Sequence, residues 1–214
     1  MAKIVPGILT ADEKVYIERL RLAEHLSDLI QIDVVDGKFS KNITVGAEII
    51  EKYPSSSFLE IQLMVLDPIP YISALGQLEF VSRIIFPFEI TVNRNEAVYS
   101  IKKFDKQVGL SLNPDTPVED AYDYFSDLDL LLLMTGNPGY SGQALGKDTF
   151  KRIKEAKLLD LTLPLEIDIG VNEENTRQLA LAGADFLVTS SAIFNAKDTK
   201  VAFDKLDMLA KVKR

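Results

Sequence analysis

Two of the apolar runs in this sequence carry an aspartate that packing does not explain. One is LIQIDVV, Leu29–Val35, with Asp33; the other is PLEIDIG, Pro164–Gly170, with Asp168. A carboxylate in such a run is costly to bury unless it is paired, so both read as functional groups. Gln31 and Gln62 stand in runs of the same kind. The stretch Asn137-Pro138-Gly139-Tyr140-Ser141-Gly142 has two readings: backbone N–H groups gathered against a phosphate, or simply a tight turn. Ser190-Ser191 closes a later apolar run. His25 is the only histidine and there is no cysteine. Ser–His and Cys–His nucleophiles, disulfides and thiolate metal sites are therefore set aside.

The elements that must position these residues alternate strictly. Short apolar runs fall near Ile4–Leu9, Leu29–Val34, Phe58–Met64, Val81–Phe86, Val108–Leu112, Asp129–Met134, Leu165–Asp168 and Phe186–Thr189. Runs that are hydrophobic on both faces read as buried parallel strands. Helical patterns fill the gaps at Asp12–His25, Val45–Tyr53, Pro68–Leu75, Arg94–Phe104, Pro117–Phe125, Asp148–Leu158, Glu173–Ala182 and Asp198–Lys211. Asp67-Pro68, Thr116-Pro117 and Asn172 are helix-start signals, and Gly76 and Gly183 sit at helix stops. Eight strand–helix pairs predict a (β/α)8 TIM barrel with its chemistry at the C-terminal strand ends. The polar residues there are Thr10, Gln31 with Asp33, Gln62, Glu89, Asn113, Asn137, Asp168 and Ser190-Ser191. An open doubly wound sheet is the alternative, but the glycine fingerprint expected after its first strand is missing, with Gly7 alone there.

No linker divides the chain, and 214 residues suit one domain spanning 1–214. A net charge of −8 opposes a nucleic-acid footprint but not a small anion held by backbone N–H groups. The basic Lys211-Val-Lys-Arg end reads as a solvated helix terminus. Without a membrane-length apolar run or a leader-like N-terminus, the expectation is a cytoplasmic protein with no membrane or nucleic-acid partner. A homo-oligomer is left open.

Six segments, in order, resemble the ribulose-phosphate 3-epimerase family across about Pro6 to Phe194. They are QIDVVDGKFSKNITVG (Gln31–Gly46), IQLMVLDP (Ile61–Pro68), LNPDTPVE (Leu112–Glu119), MTGNPGYSGQ (Met134–Gln143), EIDIGV (Glu166–Val171) and SSAIF (Ser190–Phe194). The resemblance implies a barrel of the ribulose-phosphate-binding type and a small phosphorylated sugar as ligand. It implies epimerisation at C3 of ribulose 5-phosphate and xylulose 5-phosphate, with Asp33 and Asp168 as the acid–base pair. It also implies a substrate pocket including Thr10, Met64 and Met134, with phosphate near Gly139, Gly142, Gly170, Ser190 and Ser191. The family holds a divalent metal (zinc, iron or manganese) with the two aspartates and two histidines, and here those histidines are Gln31 and Gln62. Pro87 replaces a further histidine and Val35 a methionine, while Ser141, Ile169 and Ser190 replace glycines. A glutamine amide is a poor ligand for zinc or iron, so no tightly bound metal is expected, and Lys38 and Lys147 are candidate substitutes for its charge. The alternative is a non-catalytic, phosphosugar-binding or interaction relative. Synthase and decarboxylase barrels of similar type expect a lysine at the third strand end, where Glu60–Val65 has none.

Overall fold

Strands with two apolar faces need cover on both sides, and a closed barrel ringed by helices supplies it. The structure, a computed structural model, describes residues 1–213; Arg214, the end of the basic terminal stretch, lies outside them. Eight strands, β1 (Lys3–Ile8), β2 (Leu29–Val35), β3 (Phe58–Met64), β4 (Val81–Pro87), β5 (Gln107–Leu112), β6 (Leu130–Met134), β7 (Leu165–Asp168) and β8 (Phe186–Thr189), pair in sequence order. β8 closes back on β1, and every pairing between strands is parallel. Outside run α1 (Glu13–Glu24), α2 (Ala47–Lys52), α3 (Ile69–Leu75), α4 (Arg94–Lys102), α5 (Thr149–Leu159), α6 (Thr176–Ala182), the short α7 (Ser191–Phe194) and α8 (Thr199–Ala210). None of the helices is long and apolar enough to cross a membrane among the described residues.

The eight expected strands are present to within a residue or two at each end. Three helical details differ. The segment after Pro117 forms a 3-10 helix, Val118–Asp127, not an α-helix; its aspartates, serine and tyrosines are weak helix formers. Gly76 does not end its helix in a left-handed turn, since its φ is −62°. It is needed because a Cβ there would lie 2.6 Å from the Phe104 ring. Helix α7, which follows β8 directly, is absent from the sequence pattern because four residues carry no period. Gly183 does end α6 with a positive φ of 128°.

Side chains alternate along each strand. One set, including Ile30, Ile32, Ile61, Leu63 and Leu110, joins the helix residues Tyr16, Leu20 and Ile153 in the main core. The other set points into the barrel. Toward the mouth this set includes an apolar cluster of Val35, Met64, Ile85, Leu132 and Met134. Its lower half is ionic. Arg83 on β4 donates from Nη1 to Glu60 Oε2 on β3 at 2.6 Å and from Nε and Nη2 to Gln107 Oε1 on β5. Glu166 on β7 lies 3.8 Å from the same guanidinium, which also stacks 5.0 Å from the Phe186 ring centre. Burial raises the pKa of both Glu60 and Glu166, and Arg83 opposes the rise.

Arg83 is therefore the cation on which two buried carboxyls depend. Arg83→Met should lower the unfolding free energy at neutral pH by about 3–5 kcal/mol, as removing one member of a buried ion pair does. Because the folded-state pKa values are raised, the folded chain binds protons that the unfolded chain has released, and stability falls as pH rises. Urea melts should thus show a larger loss at pH 8 than at pH 5; a small, pH-independent loss would show that Arg83 is not the balancing charge.

Candidate active site

The mouth at the C-terminal strand ends holds a cavity of about 440 Å³. Asp33 from β2 and Asp168 from β7 both line it, together with Met64, Met134, Gly139, Gly142, Gly170, Ser190 and Ser191. Ten of the residues singled out from sequence thus divide clearly: nine face the cavity and Thr10 does not. The Thr10 hydroxyl accepts from Asp12 N at 3.1 Å and belongs to the turn entering α1. Lys38 and Lys147, considered as substitutes for the metal's charge, are exposed and do not line the cavity. Among the described residues, Asp33 and Asp168 are the only charged ones in the lining.

Both aspartates are held through their backbones. Thr44 Oγ1 donates to Asp33 O at 2.6 Å and accepts from Val35 N at 2.9 Å. Thr135 N donates to Asp168 O at 3.1 Å, and the Thr135 hydroxyl donates to Ile169 O at 2.5 Å. Asp168 Oδ1 accepts from Ile169 N at 2.7 Å. Ile169 has a φ of +76° and Gly170 one of +78°. A β-branched residue in the left-handed region is strained, and its side chain lines the cavity. Gly170 is needed for a further reason, since a Cβ on it would lie 2.5 Å from Leu145 N. Gly142, with φ +76°, has open space at its Cβ position.

The β6 loop is tied across the mouth to the loop after β2. Ser40 Oγ donates to Pro138 O at 2.8 Å and Asn42 Nδ2 donates to Gly139 O at 2.7 Å. Gln143 folds the loop on itself by accepting from Asn137 N and donating to Asn137 O and Tyr140 O. Gln143, Asn172 and Asn195 also line the cavity. They are not among the residues expected there, because they sit inside loops, away from the strand ends that the barrel pattern marks. The strand-end residues Glu89 and Asn113 serve elsewhere: Glu89 accepts from Asn113 N and Thr116 Oγ1, while Arg152 donates to Asn113 O and Met134 O.

Beneath the aspartates lie Gln31 and Gln62, both fully buried. Gln31 Nε2 donates to Asp33 Oδ1 at 2.8 Å and to Gln62 at 2.9 Å. The same terminal atom of the Gln62 amide is 3.0 Å from Asp33 Oδ1 and 3.0 Å from Asp168 Oδ2. The two carboxyl oxygens are therefore within about 6 Å of each other. Burial and then the Asp168 charge push Asp33 well above the usual carboxylate range. Burial pushes Asp168 up to about 6, against hydrogen bonds from Ile169 N and the two glutamines. Residues where the family has metal ligands do not fit a zinc or iron ion. An N–H donor of Gln31 stands where a ligand lone pair is required, and no group of three His, Cys, Asp or Glu side chains suited to a metal occurs among the described residues.

Fold and mouth define a (β/α)8 barrel with paired carboxyls at its C-terminal face, the architecture of barrel enzymes that move protons. The ribulose-phosphate 3 epimerase family model matches residues 3–194. A ribulose-phosphate 3-epimerase of Bacillus subtilis is 35% identical, covering 96% of this chain and 98% of its own. The cytoplasmic isoform of Oryza sativa subsp. japonica is 31% identical, with 92% and 89% covered. The chain belongs to the ribulose-phosphate 3-epimerase family. Among solved structures, KGPDC from Streptococcus mutans superimposes with a TM-score of 0.77 at 12% identity, covering 98% and 97% of the two chains. A 3-hexulose-6-phosphate synthase from Salmonella typhimurium gives 0.73 at 16%, covering 97% and 98%. At these identities the likeness is one of fold.

A carboxyl whose folded pKa lies above its unfolded value contributes stability below the unfolded pKa and loses it as pH rises through the folded one. For Asp168 that window runs from its ordinary 3.8 to about 6. Asp168→Asn keeps the acceptor for Ile169 N and removes the charge. It should raise neutral-pH stability by about 1–3 kcal/mol and flatten the pH dependence across that window, measured by thermal melts from pH 4 to pH 8. Loss of stability at neutral pH would show that the carboxylate is well accommodated.

Proposed function

We propose that residues 1–214 form one ribulose-phosphate 3-epimerase-like barrel domain that epimerises a phosphorylated ketopentose at C3. The observation that carries this reading is the pair Asp33 and Asp168, set on different strands around one cavity with both carboxyls inclined to keep a proton. An ionised aspartate takes the C3 proton from one face and a protonated one returns a proton to the other, so the pair supplies one base and one acid. The sugar phosphate lies against Gly142, Gly170, Ser190 and Ser191, where N–H and hydroxyl groups offer neutral donors. No cation lines the cavity among the described residues. Stabilisation of the enediolate oxygen therefore falls to hydrogen bonds, and turnover is expected to be slower than a Lewis acid would support.

A non-catalytic, ligand-binding role is the second reading, and it draws on Ile169, whose side chain takes up cavity space. A coupled assay with D-ribulose 5-phosphate in deuterium oxide separates the two. The enzyme reading expects xylulose 5-phosphate with deuterium at C3, and a loss of about hundredfold or more in kcat for Asp33→Asn and Asp168→Asn. Binding of the sugar phosphate without exchange at C3 would leave the non-catalytic role.

The purified chain is further proposed to hold no tightly bound zinc, iron or manganese, checked by elemental analysis without added metal. The double variant Gln31→His and Gln62→His should take up metal, and a gain in activity with it would show that the rest of the pocket is competent. Stoichiometric metal in the unmodified protein would overturn this reading of the glutamines.

A further inference from the structure

Ile169 is a backbone outlier inside the cavity. Its φ of +76° belongs to the left-handed region, which a β-branched residue enters only under strain. A glycine would sit there freely, as Gly170 does beside it with φ +78°. Strain of this kind persists where the surroundings enforce it, and it gathers at functional sites.

The surroundings enforce it on every side. Ile169 N donates to Asp168 Oδ1 at 2.7 Å, and Ile169 O accepts from the Thr135 hydroxyl at 2.5 Å. Gly170 closes the way outward, since a Cβ on it would lie 2.5 Å from Leu145 N. The Ile169 side chain packs inward on the apolar cluster that holds Val35, Met64 and Met134. Its Cγ2 also abuts Gly136, where a Cβ would lie 2.7 Å from that methyl and 3.0 Å from Gln143 Oε1. The side chain has no room to retreat toward the β6 loop, and a branched χ1 has few other rotamers to take. Ile169 is a fixed wall.

The place of this wall gives it a task. Along the chain Ile169 stands between Asp168, one of the carboxyl pair, and Gly170, one of the residues placed against the phosphate. All three line the cavity. A ketose phosphate with C3 beside the aspartates must run past this side chain to bring its phosphate to Gly170, Ser190 and Ser191. Each carbon added between C3 and the phosphate needs further space there, and the wall does not yield it. We propose that Ile169 is a specificity-determining residue, a length gauge that admits five-carbon ketose phosphates and rejects six-carbon ones. The inference rests on the epimerase reading above and names the substrate class that the site selects.

D-xylulose 5-phosphate and D-fructose 6-phosphate have the same configuration at C3 and differ in length by one carbon. Exchange at C3 in deuterium oxide gives kcat/KM for each. One methylene in a pocket is worth about 10- to 200-fold, and the unmodified protein should favour the five-carbon sugar by at least this much. Ring closure of the hexose lowers its apparent value equally in every protein, so the change in ratio between proteins carries the result. Ile169→Gly removes wall and strain together, whereas Ile169→Ala removes the wall and keeps the strained backbone. Both should reduce the ratio at least about tenfold, through a gain on the six-carbon sugar. A side chain that serves packing alone would affect both sugars alike, and an unchanged ratio would overturn the gauge. A ratio reduced in the glycine variant but not in the alanine variant would overturn it too, because backbone relief would then be the cause. Inactivity of the unmodified protein on both sugars would end the epimerase reading without deciding the gauge. Calorimetric binding of ribitol 5-phosphate and glucitol 6-phosphate, which form no rings, then makes the same comparison across the three proteins. Equal affinity of the unmodified protein for these two alditols, or binding of neither, would overturn the gauge by itself.

Discussion

A charge inside a closed barrel must be met by another group, because no water shell remains to meet it. This requirement orders the interior from bottom to top. Four carboxyls, Glu60, Glu166, Asp33 and Asp168, share it with one guanidinium, Arg83, all of them buried. At the bottom the guanidinium, which also donates to Gln107, meets the glutamates. Above them, amide dipoles are the partners of the aspartates. The main core, between strands and helices, carries the apolar packing that makes so polar an interior tolerable. Hydrophobic burial and the ionic column thus have separate addresses on the same strands, divided by the alternation of side chains.

Much of this was legible beforehand. Parallel strands announce themselves as doubly apolar runs, and Asp33 and Asp168 stand out because nothing in such a run explains them. Gln31 and Gln62 were equally visible as polar intrusions two residues before, or across from, those aspartates. The ionic floor was missed, although the same period of two leads to it: Glu60 precedes Gln62 by two positions and Glu166 precedes Asp168 by two. Their partner Arg83 belongs to another strand, and no local pattern reveals a pairing made across a sheet. The Gln143 loop closure was hidden for a similar reason, since a loop's internal hydrogen bonds depend on backbone angles that composition leaves free.

Glycine readings fared unevenly, and the reasons are steric. Gly142 and Gly170 both take positive φ, yet only Gly142 has empty space beside it, while Gly170 is packed against the Leu145 backbone. A glycine motif can therefore mark close loop packing and ligand approach within the same few residues. Ile169 shows the reverse case. It keeps a glycine-like conformation with a branched side chain, and the hydrogen bonds from Thr135 and to Asp168 are what keep it there.

The ties from Ser40 and Asn42 to the β6 loop have a consequence for motion. Barrel enzymes commonly close a mobile loop over the substrate, and that microsecond-to-millisecond movement often limits turnover. Here the β6 loop is fastened at its tip to the opposite side of the mouth and knotted internally by Gln143. Any swing of this loop must first break those hydrogen bonds.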